Sequence, residues 1–176
     1  MINFIGSDKF TRKDKDDGIK MAEKFFPWIE DENYVSPDEV TYDLIKNIYP
    51  NSVIYIKDNA KLIGHAFILP CNKRIMNNFL AKKINEKQMF HLIKDQVNEK
   101  SFDCIYLASA FVLPEYRKKG LATKAMVLAI KRLCEASNKD KPILFYEALS
   151  AEGNKLSKKV NEELGFEMKG FVEIYQ

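Results

Sequence analysis

The chain has 176 residues, 46% hydrophobic and 12% aromatic, which suits one globular domain over 1–176 with a sizeable core. A net charge of +3 is too small to argue for nucleic acid, and no apolar run reaches the ~20 residues of a membrane span. The N-terminus lacks the charged, apolar and small-residue order of a secretory signal, so a cytoplasmic location is expected, with neither nucleic acid nor membrane as partner.

Residues 2–5 read as a first strand. Residues 20–26 read as a helix carrying Met21, Phe25 and Phe26, stopped by Pro27. Ser36 followed by Pro37, Asp38 and Glu39 places a proline in a first turn and acids near the positive end of a dipole, which predicts a helix to about Ile48. Two strand-like runs, 53–57 and 61–69, are joined by Asp58, Asn59 and Ala60 into a hairpin with Gly64 inside its second strand. The stretch 73–100 holds seven Lys or Arg against three acids and has helical character. Asn85 with Gln88 three residues later is a capping-box variant ahead of Met89, Phe90, Ile93 and Val97 on one face. Such a helix either packs on a sheet or covers a substrate pocket.

The run 103–112 is apolar, partly β-branched and aromatic, and reads as a buried strand ended by Pro114. Residues 121–134 read as a helix, with apolar positions at 121, 122, 125, 126, 129, 130, 133 and 134 on one stripe. Between them lies VLPEYRKKGLA, residues 112–122. The first turn of such a helix has amides with no partner inside it and adds the positive end of its dipole, so a phosphate satisfies both. Gly120 has no Cβ, Ala122 is small, and Arg117 can add a charge-assisted contact. The turn lacks the GK[ST] of a nucleotide P-loop and the GxGxxG of a dinucleotide fold. Further on, residues 142–150 read as a strand, Asn154 as the cap of a helix NKLSKKVNEELGF, Gly165 as its left-handed end and Phe166 as the start of another strand. Cys71, Cys104 and Cys134 form no CxxC, so neither a disulfide framework nor a metal site is indicated. Cys104 and Cys134 fall in expected core elements.

VxPxYRxxGxA between strand and helix resembles the acetyl-CoA pyrophosphate turn of the GNAT acyltransferase superfamily, and Asn154, Gly165 and Phe166 follow at that family's spacing. The resemblance implies an α/β fold with a mixed, mostly antiparallel sheet, splayed middle strands and helices on both faces, with residues 73–100 as a helical insertion. It implies an acetyl-CoA-dependent N-acetyltransferase that transfers directly to a primary amine of a small molecule or peptide. The alternative is a non-catalytic acetyl-CoA-binding sensor.

By the same resemblance, the backbone at Phe111 and Val112 pairs with the pantetheine arm, and a strand amide near Val112 serves the oxyanion. The amides of Lys118, Lys119, Gly120, Leu121, Ala122 and Thr123 take the pyrophosphate with the Arg117 side chain, and Asn154 contacts the coenzyme arm. The family's usual acid, a tyrosine seven residues after that asparagine, is Asn161 here, so an acid comes from elsewhere, from water, or is dispensed with. The family's strand glutamate aligns with Tyr106, which leaves Tyr106 and Glu147 as the catalytic candidates. His65 and His91 are weaker candidates as bases, and Ser109 has no base near it in sequence. Only one strand fits after Phe166 where the family has two, so the sheet edge is open, filled by another segment, or completed in a homodimer.

Overall fold

The computed structural model describes residues 1–27 and 30–175. Six strands lie side by side in chain order: β1 (Ile2–Ile5), β2 (Val53–Asp58), β3 (Lys61–Cys71), β4 (Cys104–Val112), β5 (Ile143–Ala148) and β6 (Met168–Val172). The pairings from β1 to β4 are antiparallel, and those of β4 with β5 and β5 with β6 are parallel. A mixed, mostly antiparallel sheet is therefore the fold. The hairpin between β2 and β3 turns through Asn59 and Ala60, with Asn59 in the left-handed region at φ 52, which asparagine tolerates.

Two irregularities in β4 open the sheet. Ser109 pairs with Phe67 and Leu107 with Ile68, so Ala108 is an extra residue that bulges the strand. On its other side β4 meets β5 only where residues 104–106 pair with 143–145. Past Tyr106 and Phe145 the strands part, while β5 stays paired to β6 as far as Ala148 with Val172. Leu113 donates its amide to the Ile63 carbonyl on β3. Alternation along the strand then turns the amides of Val112 and Ala110 the other way, into the gap. Gly64 permits this arrangement, because a Cβ there would press into the Phe111 carbonyl oxygen.

Helices α1 (Arg12–Phe25), α2 (Lys73–Leu80) and α3 (Glu86–Gln96) cover the sheet face that carries Tyr106. α4 (Leu121–Ser137) covers the opposite face, and α5 (Ala151–Leu164) packs beside it. The core runs through the sheet, with Ile54, Ile63, Ile68, Phe90, Ile130 and Phe145 all fully buried. Tyr49, also fully buried, sets its hydroxyl 3.1 Å from the Ile93 and Val97 carbonyls and so fixes the end of α3.

Three helix starts differ from the sequence expectation. α1 begins at Arg12, well before residue 20, because Thr11 and Asp14 form a reciprocal capping box in a stretch too polar to show an apolar stripe. At Ser36 the expected turn forms, with the Glu39 carboxylate accepting from the Ser36 amide and hydroxyl at 3.1 and 3.0 Å. No helix continues from it. Glu39 instead reaches Lys87 and His91 of α3 at 3.4 and 3.3 Å, and the chain winds only after Thr41, into a π-helical turn at Leu44–Ile48. α5 is capped by Ser150, whose hydroxyl accepts from the Gly153 amide at 3.0 Å, so Asn154 lies inside the helix and does not cap it. The Asn85–Gln88 box opens α3 as expected. After Phe166 a single strand, β6, lies parallel on β5, and the chain beyond it stays tied to β5 through Glu173 and Tyr175 amides on the Ala148 and Leu149 carbonyls.

Candidate active site

The turn from β4 to α4 leaves amides free. The chain passes through a 3₁₀ turn at Pro114–Tyr116, and Lys118 and Gly120 both take left-handed backbone, at φ 62 and 71. Gly120 then stands as the N-cap of a helix of 17 residues with no side-chain cap. The amides of Leu121, Ala122 and Thr123 therefore carry the unpaired, positive end of a long helix. A Cβ on Gly120 would meet nothing within 4 Å, so glycine is needed there for its positive φ, and the space before the amides is open. Arg117 donates from Nε to the Val112 carbonyl at 3.0 Å and rests its guanidinium 5.5 Å over the Phe111 ring. An uncapped helix start beside a guanidinium fits a pyrophosphate. Lys118, Gly120, Leu121, Ala122 and Thr123 all line the adjoining cleft. Lys119 does not: its ammonium lies 5.4 Å over the Tyr116 ring.

That cleft has a volume of ≈ 1000 Å³. Residues 107–112 of β4 form one wall, the end of β5 the other, and Phe25 stacks on Phe111 at 4.5 Å to close the side toward α1. A second cavity of ≈ 480 Å³ adjoins it and shares Glu86, Glu147, Ile174 and Tyr175. Two carboxylates thus stand at the junction. Burial, then the charge of Glu147, raises Glu86 to about 8. Burial, then the charge of Glu173, raises Glu147 to about 7, against the lowering effects of Lys82 and of a hydrogen bond from Tyr34.

Residues 21–166 match the model of the Acetyltransferase (GNAT) family. The chain belongs to the GNAT family. It is an acetyltransferase whose co-substrate is acetyl-CoA, and the free amides at the start of α4 are the feature that fits this ligand. The GNAT fold is borne out by solved structures. AAC(6')-Iy, in complex with the bisubstrate analogue CoA-S-monomethyl-acetylneamine, superposes with a TM-score of 0.56 at 17% identity over 100% of this chain and 97% of its own. A ribosomal-protein-alanine N-acetyltransferase from Brucella melitensis biovar Abortus gives 0.51 at 12% identity over 91% and 90%. No curated protein sequence matches the chain.

Within this GNAT framework the remaining expected residues separate. Asn154 does not line the cleft, and its Oδ1 accepts from the Tyr146 hydroxyl at 3.0 Å. Asn161 is also off the cleft lining, with its Oδ1 buried and without a partner among the described residues. Tyr106 lines the cleft but is 2% exposed, packed against Phe79 and Phe145 at 5.4 and 5.1 Å. Burial, then the nearby Glu86 and Glu147 charges, pushes its hydroxyl well above the ordinary value, the wrong direction for a base. His91 is taken up by Glu39 at 3.3 Å, outside the cleft.

Sequence reading missed Glu86 and the partner of Ser109. Glu86 reads there only as an acid in the first turn of α3, a common helix-start residue. His65 Nε2 lies 3.4 Å from Ser109 Oγ, because β3 pairs His65 with Phe111 and Phe67 with Ser109, leaving the two side chains diagonal on one face. The signal was the register of β3 on β4, two strands separated in the chain by α2 and α3, which a linear sequence does not display. Among the described residues no group of three or more His, Cys, Asp or Glu is placed to hold a metal, and no helix is long and apolar enough to cross a membrane.

Proposed function

We propose that the enzyme transfers the acetyl group directly from acetyl-CoA to a primary amine of a small molecule or peptide, with both bound at once in the cleft. The observation that carries this reading is one continuous cleft with uncapped amides at one end, Glu86 and Glu147 at the other, and parted strands between. The amides of Lys118, Gly120, Leu121, Ala122 and Thr123, with Arg117, hold the pyrophosphate. Backbone at Phe111 and Val112 pairs with the pantetheine arm, and an amide of the parted edge, Ala110 or Val112, faces the developing oxyanion. Asn154 acts on the coenzyme only through the set of α5, since its side chain is bonded to Tyr146.

Glu147 receives the acceptor's cationic end and accepts the amine proton, with Glu86, mostly protonated near neutral pH, beside it. A carboxyl raised to about 7 is matched to that task, being half ionised near neutral pH and a stronger base than an ordinary glutamate. Tyr106 stays protonated and forms part of the cleft wall. The leaving thiol, with an ordinary pKa near ~8.5, departs without a dedicated acid. Helices α2 and α3, within the segment 73–100, close the acceptor side.

The test is release of free thiol from acetyl-CoA with a panel of amines, polyamines and peptides. Amine-dependent release supports transfer. Asn161, which supplies no acid to the cleft, favours a sensor as the second reading; coenzyme binding with no release across a broad panel would establish it. Absence of any thermal stabilisation by acetyl-CoA sinks both.

A further inference from the structure

The cleft contains a nucleophile and a base that amine acetylation does not use. Ser109 and His65 both line it, with Oγ and Nε2 3.4 Å apart. Ser109 directly follows the bulge at Ala108, on the stretch of β4 that has left β5. The next residue, Ala110, turns its amide into the gap, where it can receive an oxyanion formed at Ser109. His65 Nδ1 is buried with no partner among the described residues, so no carboxylate orients the ring.

We propose that Ser109 and His65 form a nucleophile–base dyad that takes the acetyl group itself when no amine is bound, giving the enzyme a slow acetyl-CoA hydrolase activity. The location of the thioester rests on the coenzyme placement proposed above. Ser109 Oγ attacks the thioester carbonyl carbon while His65 Nε2 takes its proton. The C–S bond breaks, and the sulfur leaves with the proton returned by His65. Water, deprotonated by the same nitrogen, then attacks the acetyl-serine ester, releasing acetate and restoring Ser109. The titratable or polar groups facing His65 are Lys15 from α1, Tyr55 from β2 and Ser109 from β4, and the Phe26 ring meets it edge-on at 6.4 Å. Burial, then the Lys15 charge, lowers the imidazole to about 4, so it is neutral and able to accept a proton near neutrality. The same depression makes it a weak base, which is why the reaction is slow.

The experiment incubates the full chain without amine, separately with acetyl-CoA and with p-nitrophenyl acetate, an acyl donor that needs no coenzyme site. Peptide mass mapping then locates the acetyl group. The expected result is one acetyl on Ser109 from both donors, absent in Ser109→Ala. His65→Gln is expected to cut the labelling rate at least tenfold, and thermal melts of both variants check that each is folded at the assay temperature. Labelling of Ser109 by the ester alone shows a reactive dyad but overturns acetyl-CoA hydrolysis by it, together with the coenzyme placement. An unlabelled Ser109 with both donors, or labelling unaffected by His65→Gln, overturns the proposal, while amine-dependent thiol release remains a separate measurement of the main activity.

Discussion

Arg117 donates from Nε to the Val112 carbonyl at 3.0 Å, joining the last residue of β4 to the turn that starts α4. One side chain thereby sets the strand edge and the amide cluster relative to each other. Arg117→Ala removes this tie as well as a positive charge beside the helix start. The expected loss in acetyl-CoA affinity is roughly 1.5–3 kcal/mol, the scale of a charge-assisted hydrogen bond. Calorimetric titration checks it. Arg117→Lys should recover only part of the loss, since an ammonium cannot bond the carbonyl and reach a phosphate through a planar fork.

Glu147 and Glu86 predict the pH profile. With Glu147 raised to about 7, kcat/KM should rise with pH through that value as the carboxyl loses its proton and becomes a base. Glu147→Gln should abolish that limb and lower the rate by about 10²–10⁴, the usual contribution of a positioned base. A weakly basic acceptor amine keeps the substrate's own ionisation out of the profile. A limb unchanged in the variant would assign the base elsewhere.

The same two groups make stability fall as pH rises. A carboxyl that titrates at about 8 for Glu86, or about 7 for Glu147, in the fold and at 4.5 when unfolded holds a native-state proton that the unfolded chain has lost. The stability this contributes is full below 4.5 and is lost as pH climbs through the folded values. His65, lowered from 6.5 to about 4, acts in the opposite sense between those values, so the carboxylates stand clear of it above 6.5. Melting temperature should therefore decline from about pH 6.5 to 8, and Glu86→Gln should flatten the decline and raise the melting point at the alkaline end. Thermal melts at constant ionic strength decide it.

Legibility in the sequence followed the range of each determinant. The start of α4 was readable because Gly120 and an unbroken apolar stripe lie within a few residues, and the strand into it because 103–112 is continuously apolar. The start of α1 was not, since Thr11 and Asp14 cap a stretch whose charges hide its periodicity. Ser36 misled for the opposite reason. Its local capping signal is real, but Glu39 is also held by Lys87 and His91 from far along the chain, which is invisible locally. In the site, Arg117 and Gly120 were readable as one turn. Glu86 gains its meaning only from Glu147 on a distant strand, Ser109 only from His65, and Tyr106 loses its suitability as a base through its burial against Phe79 and Phe145 and the nearby charges of Glu86 and Glu147.

Two glycines separate the stability of the site from its ligand affinity. At Gly64 a Cβ would press into the Phe111 carbonyl and come within 3.2 Å of the Val112 Cα, both backbone and neither able to yield cheaply. Gly64→Ala should cost roughly 1–3 kcal/mol as overpacking, lowering the melting temperature by several degrees, and should weaken acetyl-CoA binding because the displaced edge of β4 carries the wall of the cleft. At Gly120 a Cβ meets nothing, but φ 71 suits glycine. Gly120→Ala therefore costs only the left-handed penalty of roughly 1–2 kcal/mol, and relief of that strain turns the amides of α4 away from the ligand. The expected pattern is a larger loss of coenzyme affinity per degree of melting temperature for Gly120→Ala than for Gly64→Ala. Equal ratios in the two variants would mean that the turn binds no better than the fold around it, and that the amides at the start of α4 are not where acetyl-CoA is held.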